Sequence, residues 1–212
     1  MIERVTRRQT VTIAIRAGVA ACIVGLATAS LPAWDSAGQT GSGVGIDYHV
    51  VATSKTSTMQ KELNDAAEMG FRFDTVMGGE TAFGGNEVVV VMSRASGTKA
   101  SRFGYRLLAT SKTSTMQKEL QDAADAGFQY RGQTVFNTAF GGDEVVCILE
   151  RDGAAAQERV DYRLVATSKT GTLQKELVQA GAGGYQIVGM TVGKTALGGS
   201  ELVAITRRVR AQ

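Results

Sequence analysis

The chain is poor in the residues that most enzyme sites are built from. It has one histidine, His49, one proline, one tryptophan and two cysteines in 212 residues. A single histidine argues against histidine-based triads and against metal centres that need two or more imidazoles. Aromatic residues make up only 6%, which weakens the case for a stacking groove that would hold sugars or single-stranded nucleic acid. The net charge of +3 is too small to attract nucleic acid by electrostatics alone. What remains is ordinary for a packed protein: 43% hydrophobic and 20% charged residues, which rules out wholesale disorder. Glycine, at 26 residues, is the one abundant type.

The amino terminus reads as an export signal. Arg4, Arg7, Arg8 and Arg16 form a basic start, Ala17 to Leu26 is a short apolar run, and Ala27-Thr28-Ala29 supplies the small-x-small pattern of a signal-peptidase site. The Arg7-Arg8 pair also suggests a twin-arginine signal, although Thr10 stands where that signal prefers a bulky apolar residue. Cys22 fits a lipobox locally (Val19-Ala20-Ala21-Cys22), but Arg16 interrupts the apolar run that should precede it. The rival is an uncleaved anchor over residues 17–33, at the lower edge of the roughly 17–25 residues needed to cross a bilayer. The expected division is therefore a signal peptide or anchor at 1–29 and a flexible leader at 30–47. Export also alters the charge. The first 37 residues hold four arginines against Glu3 and Asp35, leaving 19 basic and 18 acidic residues in a nearly neutral body. Losing Cys22 leaves Cys147 alone, so no intramolecular disulfide can form. Cys147 lies in the apolar run Val145-Val146-Cys147-Ile148-Leu149, where it reads as a small buried hydrophobe.

The organising feature is an internal repeat of period 57. Tyr48-His-Val-Val-Ala-Thr-Ser-Lys-Thr recurs from Tyr105 and from Tyr162, and the copies align without a gap to Arg94, Arg151 and Arg208. The units span 48–94, 105–151 and 162–208, and the third has drifted most. Each reads β-α-β-β. A first strand (48–53) leads through Ser54-Lys55-Thr56 to a helix that Ser57 should cap, with Gln60 as capping-box partner. Ser114 and Gln117 repeat the pattern, and Gly171 precedes Gln174 in the third copy. Met59, Leu63, Ala66 and Ala67 form one apolar stripe. Gly70, Gly127 and Gly184 should stop the helices in the left-handed region. A second strand, a Gly-Gly connection and a continuously apolar third strand follow, and the last pattern predicts burial on both faces. One helix covers one face of a three-stranded sheet, so a neighbouring copy, in this chain or another, must cover the other. The expected fold is α+β, three tandem β-α-β-β repeats packed as one pseudo-threefold body, joined by polar connectors at 95–104 and 152–161.

The opening tyrosine, the helix ending in glycine plus an aromatic (Gly70-Phe71, Gly127-Phe128, Gly184-Tyr185) and the closing arginine resemble small bacterial β-α-β-β modules grouped as a domain of unknown function. The resemblance implies a fold and supplies no catalytic residues.

The strongest candidate for chemistry is the thrice-repeated loop before each helix: Ser54, Lys55 and Thr56; Ser111, Lys112 and Thr113; Ser168, Lys169 and Thr170. Hydroxyls, a lysine and free N–H groups at a helix N-terminus can bind an anion, and the same residues can simply cap the helix and form the turn. The glycines of a P-loop are missing. Lys169-Thr170-Gly171 matches a penicillin-binding-enzyme string without its S-x-x-K and S-D-N partners. Glu87, Glu144 and Glu201 read as strand-start residues paired with a lysine or arginine. The Gln-Lys-Glu runs from Gln60, Gln117 and Gln174 read as a solvated helix face. His49, which aligns with Arg106 and Arg163, reads as a surface strand residue. No catalytic residue, metal ligand or cofactor site is visible. The expected function is an exported, non-enzymatic repeat scaffold, periplasmic or extracellular, with a protein or envelope component as partner. It should bind no nucleic acid and meet the membrane only through an uncleaved N-terminal segment. An anion-binding module and an enzyme of unseen class are the alternatives.

Overall fold

The computed structural model describes residues 45–81, 85–100, 102–110, 112–137, 143–156, 158–194 and 199–210. The expected export segment, the leader up to residue 44 and Ser111 lie outside them. The first unit comprises β1 (Ile46–Thr53), α1 (Thr56–Glu68), β2 (Arg72–Thr81) and β3 (Gly85–Ala95). The second comprises β4 (Phe103–Thr110), α2 (Thr113–Asp125), β5 (Gln129–Asn137) and β6 (Asp143–Asp152). The third comprises β7 (Val160–Thr167), α3 (Thr170–Ala182), β8 (Gln186–Lys194) and β9 (Ser200–Val209). The α+β class is thus observed. Each unit forms an antiparallel three-stranded sheet with its last strand in the centre: β1-β3-β2, β4-β6-β5 and β7-β9-β8. β1 begins at Ile46, two residues ahead of the expected start.

The helix stops behave as the glycines predict. Gly70, Gly127 and Gly184 have φ of 90°, 83° and 79°, and Phe71 N donates to Ala66 O while Gly70 N donates to Ala67 O, the paired bonds of a Schellman motif. The same two bonds recur at Phe128 and Tyr185. The closing arginine completes this end. Arg94, Arg151 and Arg208 lie over the rings of Phe71, Phe128 and Tyr185 at 4.3, 4.9 and 4.7 Å. Arg94 and Arg208 also donate to the terminal helix carbonyls of Met69 and Gly183. One side chain thereby ties the helix end to the last strand, which accounts for the Gly-aromatic…Arg pattern.

The N-termini depart from expectation. The helices start at Thr56, Thr113 and Thr170, with Lys55, Lys112 and Lys169 in the N-cap position and no side-chain cap bond. Ser57 and Ser114 therefore sit inside the first turn, and Gln60 and Gln117 are turned outward to a different partner.

Met59, Leu63, Ala66 and Ala67 are buried against Val88, Val90 and Met92 of β3, and Tyr105, Val146 and Ile148 of the second unit complete this cluster. The opposite face of the second sheet, through Leu108, Val145, Cys147 and Leu149, packs on α2 and on Val160, Tyr162, Val203 and Ile205 of the third unit. The second sheet is thus covered on both faces, and Val145–Glu150 is buried without interruption. The first sheet is not. Val88, Val90 and Met92 are buried while Val89 and Val91 are half-buried, and Ile46, Tyr48 and Val50 of β1 are exposed. The expectation of two covered faces therefore fails for β3, because no described element lies on the outer face of the first sheet. A threefold body needs a third joint, between the third unit and the first, and the surfaces that would form it are open to solvent.

Candidate functional site

The three lysine loops are turns held by their own threonines. Thr53 Oγ1 accepts from Lys55 N at 3.1 Å, Thr110 Oγ1 from Lys112 N at 3.2 Å and Thr167 Oγ1 from Lys169 N at 3.3 Å. Thr58 Oγ1 donates to Lys55 O at 3.1 Å. Ser54, Lys55, Lys112, Ser168, Lys169 and Thr170 are exposed, and Thr56 and Thr113 half-buried. Each loop belongs to a different unit. Elsewhere, Glu87 accepts from the Thr81 hydroxyl at 2.6 Å and has no cationic partner among the described residues, and His49 is half-buried and tilted on Phe71, 5.2 Å between ring centres.

The built feature of the molecule is the joint between successive units. A first strand such as β4 has one edge paired in its own sheet and one edge whose backbone groups need other partners. The preceding helix supplies them from side-chain amides. Asn64 Nδ2 donates to Tyr105 O at 3.0 Å, its Oδ1 accepts from Tyr105 N at 2.8 Å, and Gln60 Oε1 accepts from Leu107 N at 3.0 Å. One unit on, Gln121 Oε1 accepts from Tyr162 N at 3.0 Å, and its Nε2 donates to Val160 O at 3.2 Å. Gln117 Nε2 donates to Tyr162 O at 2.9 Å, and its Oε1 accepts from Leu164 N at 2.6 Å. Helix amides act here as a substitute strand. The glutamines of the Gln-Lys-Glu runs, expected to be merely solvated, carry this contact in the first two units.

The opening tyrosine is the second element of the joint. Tyr105 is 3% exposed, and its hydroxyl accepts from Phe73 N at 2.8 Å. The Tyr162 hydroxyl likewise accepts from Tyr130 N at 2.7 Å. Phe73 and Tyr130 each adjoin a bulge in their strand, where one backbone N–H loses its ladder partner. The rings of the two bulge residues cross to the next sheet and meet glycine. A Cβ on Gly132 would lie 2.9 Å from the Phe73 ring, and one on Gly189 would lie 2.1 Å from the Tyr130 hydroxyl.

The two joints differ in charge. In the first, Arg72 donates to Glu150 through Nε at 3.2 Å and Nη2 at 2.8 Å, Arg131 lies 3.7 Å away, and Tyr105 Oη donates to Glu150 Oε2 at 2.9 Å. Glu150 is 5% exposed, so these partners are what make a buried carboxylate tolerable. Burial pushes the Tyr105 phenol above the ordinary tyrosine range, which keeps it a neutral donor. In the second joint Arg207 donates to Gln129 at 3.2 Å. A cleft of about 360 Å³ opens here, lined by Arg72, Tyr130, Arg131, Glu150, Asp152 and Arg207 among others. Arg72 and Arg131 face Glu150, Asp152 is bonded to Arg102, and Arg207 to Gln129. Cys147 is buried, and desolvation pushes its thiol up to about 12, which leaves it unreactive at neutral pH.

No protein family, curated protein or solved structure matches this chain. The joint therefore has to be read from its own geometry. Among the described residues no group of three His, Cys, Asp or Glu side chains could hold a metal ion, and no helix is long and apolar enough to cross a membrane. The residues that build the joint were present in the sequence as signals without a reader: an identical Gln at 60, 117 and 174, off the apolar stripe, and an identical Tyr at 48, 105 and 162.

Proposed function

We propose that this chain is an exported, non-enzymatic scaffold of three tandem β-α-β-β repeats, and that the repeated joint is also its means of contact with other proteins. One observation carries the reading. The same joint is made twice inside the chain, and each end presents one half of it unused. At one end Tyr48 and Val50 are 67% and 57% exposed; at the other Val178 and Ile187 are 61% and 53% exposed. Apolar surface of this kind, continuous with a surface that is buried when its partner is present, marks an interaction site. The basic, apolar and Ala-Thr-Ala succession of the amino terminus supports export, and an exported scaffold would meet its partner at the cell envelope or outside. A pseudo-threefold or larger closed body then needs a further joint from outside the chain.

The test is site-specific photo-cross-linking in cells that make the chain. A benzophenone side chain at position 48 or 187 should give a discrete protein adduct, while one at Lys118, exposed on the middle helix, should not. Absence of adducts at both ends overturns the reading. The processed protein should begin at Ser30, which intact mass spectrometry reads directly.

A further inference from the structure

We infer that the two open ends are halves of one further joint and that a second copy of this chain completes it, with the β1 edge of one copy seated on α3 and β8 of the next. The inference rests on the scaffold reading above and names its partner. It follows from comparing the ends with the two joints already made.

The polar register is retained in part. Gln174 stands where Gln60 and Gln117 stand, and Val50 stands where Leu107 and Leu164 offer their N–H groups. Tyr48 occupies the place of Tyr105 and Tyr162, and Ile187 adjoins the same bulge as Phe73 and Tyr130. The phenol of one copy is thus matched to the bulge N–H of the other.

The steric register is retained by exchange. Inside the chain a large ring crosses onto glycine, Phe73 onto Gly132 and Tyr130 onto Gly189. At the ends the crossing residue is the smaller Ile187, and the receiving position is Thr75. Side-chain volume lost on one surface reappears on the other, as close packing at an interface requires. The charges agree as well. The site of Arg72 opposite Glu150 and of Gln129 opposite Arg207 is occupied at the ends by Gln186 and Ser93, both uncharged and able to bond. One difference weakens the joint: Val178 replaces Asn64 and Gln121, so the amide that holds Tyr105 and Tyr162 is missing. The intermolecular joint is accordingly weaker than the internal ones. Because head and tail are different surfaces, the contact is heterologous and builds a ring if its rotation closes or a filament if it does not.

Sedimentation velocity of the full chain, over about 1 to 100 µM, tests this, a range suited to a contact weaker than a permanent interface. The wild-type mass should rise with concentration. Tyr48→Glu blocks one end and Ile187→Glu the other, at exposed sites where neither charge disturbs the folded unit. Each variant alone should be monomeric, and an equal mixture should form a dimer and nothing larger, since each molecule then offers one usable end. A monomeric wild type overturns the proposal. So does association that Ile187→Glu leaves intact while Tyr48→Glu abolishes it, which means that β1 edges pair with each other. Association that survives both substitutions uses some other surface and overturns it too. If the purified chain is monomeric but cross-links at 48 or 187 capture a different protein, self-docking falls and the scaffold reading stands. If neither position cross-links, both fall.

Discussion

The amides of α2 give the sharpest test of the joint, because the third helix provides an internal control. Gln117 and Gln121 make four hydrogen bonds to the backbone edge of β7. A net hydrogen bond contributes about 0.5–1.5 kcal/mol, and a buried group left unpaired costs about 1–3. The acceptor and donor groups of Tyr162 belong to a residue that is 4% exposed, so water cannot fully replace the lost amides. Alanine is at least as good a helix former as glutamine, and truncation therefore isolates the joint from the helix. Gln117→Ala with Gln121→Ala should cost about 2–4 kcal/mol, less than a simple sum because both side chains serve Tyr162. Gln174→Ala, at the equivalent site on a helix that no described unit covers, should change stability by less than about 0.5 kcal/mol, as for ordinary exposed positions. Both are measured by urea denaturation followed by circular dichroism, at low micromolar concentration so that chain association does not contribute. Equal losses at the two sites would refute the reasoning, because the effect would then belong to the helix and not to what it touches.

Three further outcomes follow from single groups. Both amide atoms of Gln133 are buried without a partner among the described residues, while the first unit has Val76 at that position; Gln133→Val should stabilise by about 1–2 kcal/mol by removing unpaired polar atoms, read from the denaturation midpoint. Asp152, bonded to Arg102 and to Ala154 N, has its carboxyl held down at about 2. An unfolded aspartate titrates near 3.9, so its contribution is complete above about pH 4 and lost as pH falls through about 2; Asp152→Asn should flatten the thermal midpoint across that window. In a Cys22→Ser background, Cys147 should resist a thiol-specific reagent at pH 8 and react fully once the chain is unfolded in denaturant; labelling of the folded protein would contradict its burial.

The local structure was legible where one unit decides it alone. The stripe from Met59 to Ala67, the glycines at φ near 80–90° and the β-α-β-β succession all follow from residues within about fifty positions of each other, whereas the central place of each last strand comes from the structure alone. The cap was misjudged because Ser57 and Gln60 satisfy the capping-box spacing, yet Thr53 already folds the loop back on Lys55, and Gln60 has a better partner 47 residues away in Leu107. What escaped the sequence was everything that depends on what lies beside a unit. An amide off the apolar stripe has the same signature whether it meets water or the edge of a strand. Glu150 could not be placed either, since the same position holds Ser93 and Arg207, and only the neighbouring Arg72 explains a carboxylate there.

The drift of the third copy has the same cause. A helix face that stays in water is free to accept good helix formers and charge, and loses nothing by dropping a buried-edge amide. Val178 is neither: it is β-branched, a weaker helix former than the glutamine of α2, and it leaves an apolar side chain 61% exposed. Together with Ile187, Met190 and Val192, it makes the end of the array more apolar where simple solvation would make it more polar. Valine at this site becomes intelligible once a surface lies over it, because an apolar contact there needs no exact alignment with Tyr48 N and O, whereas an amide does. The first two joints are fixed within one chain and hold an aligned amide at no cost of association. A joint that must form between separate molecules loses translational and rotational freedom, and burying valine against the tyrosine ring meets part of that cost without demanding the same precision.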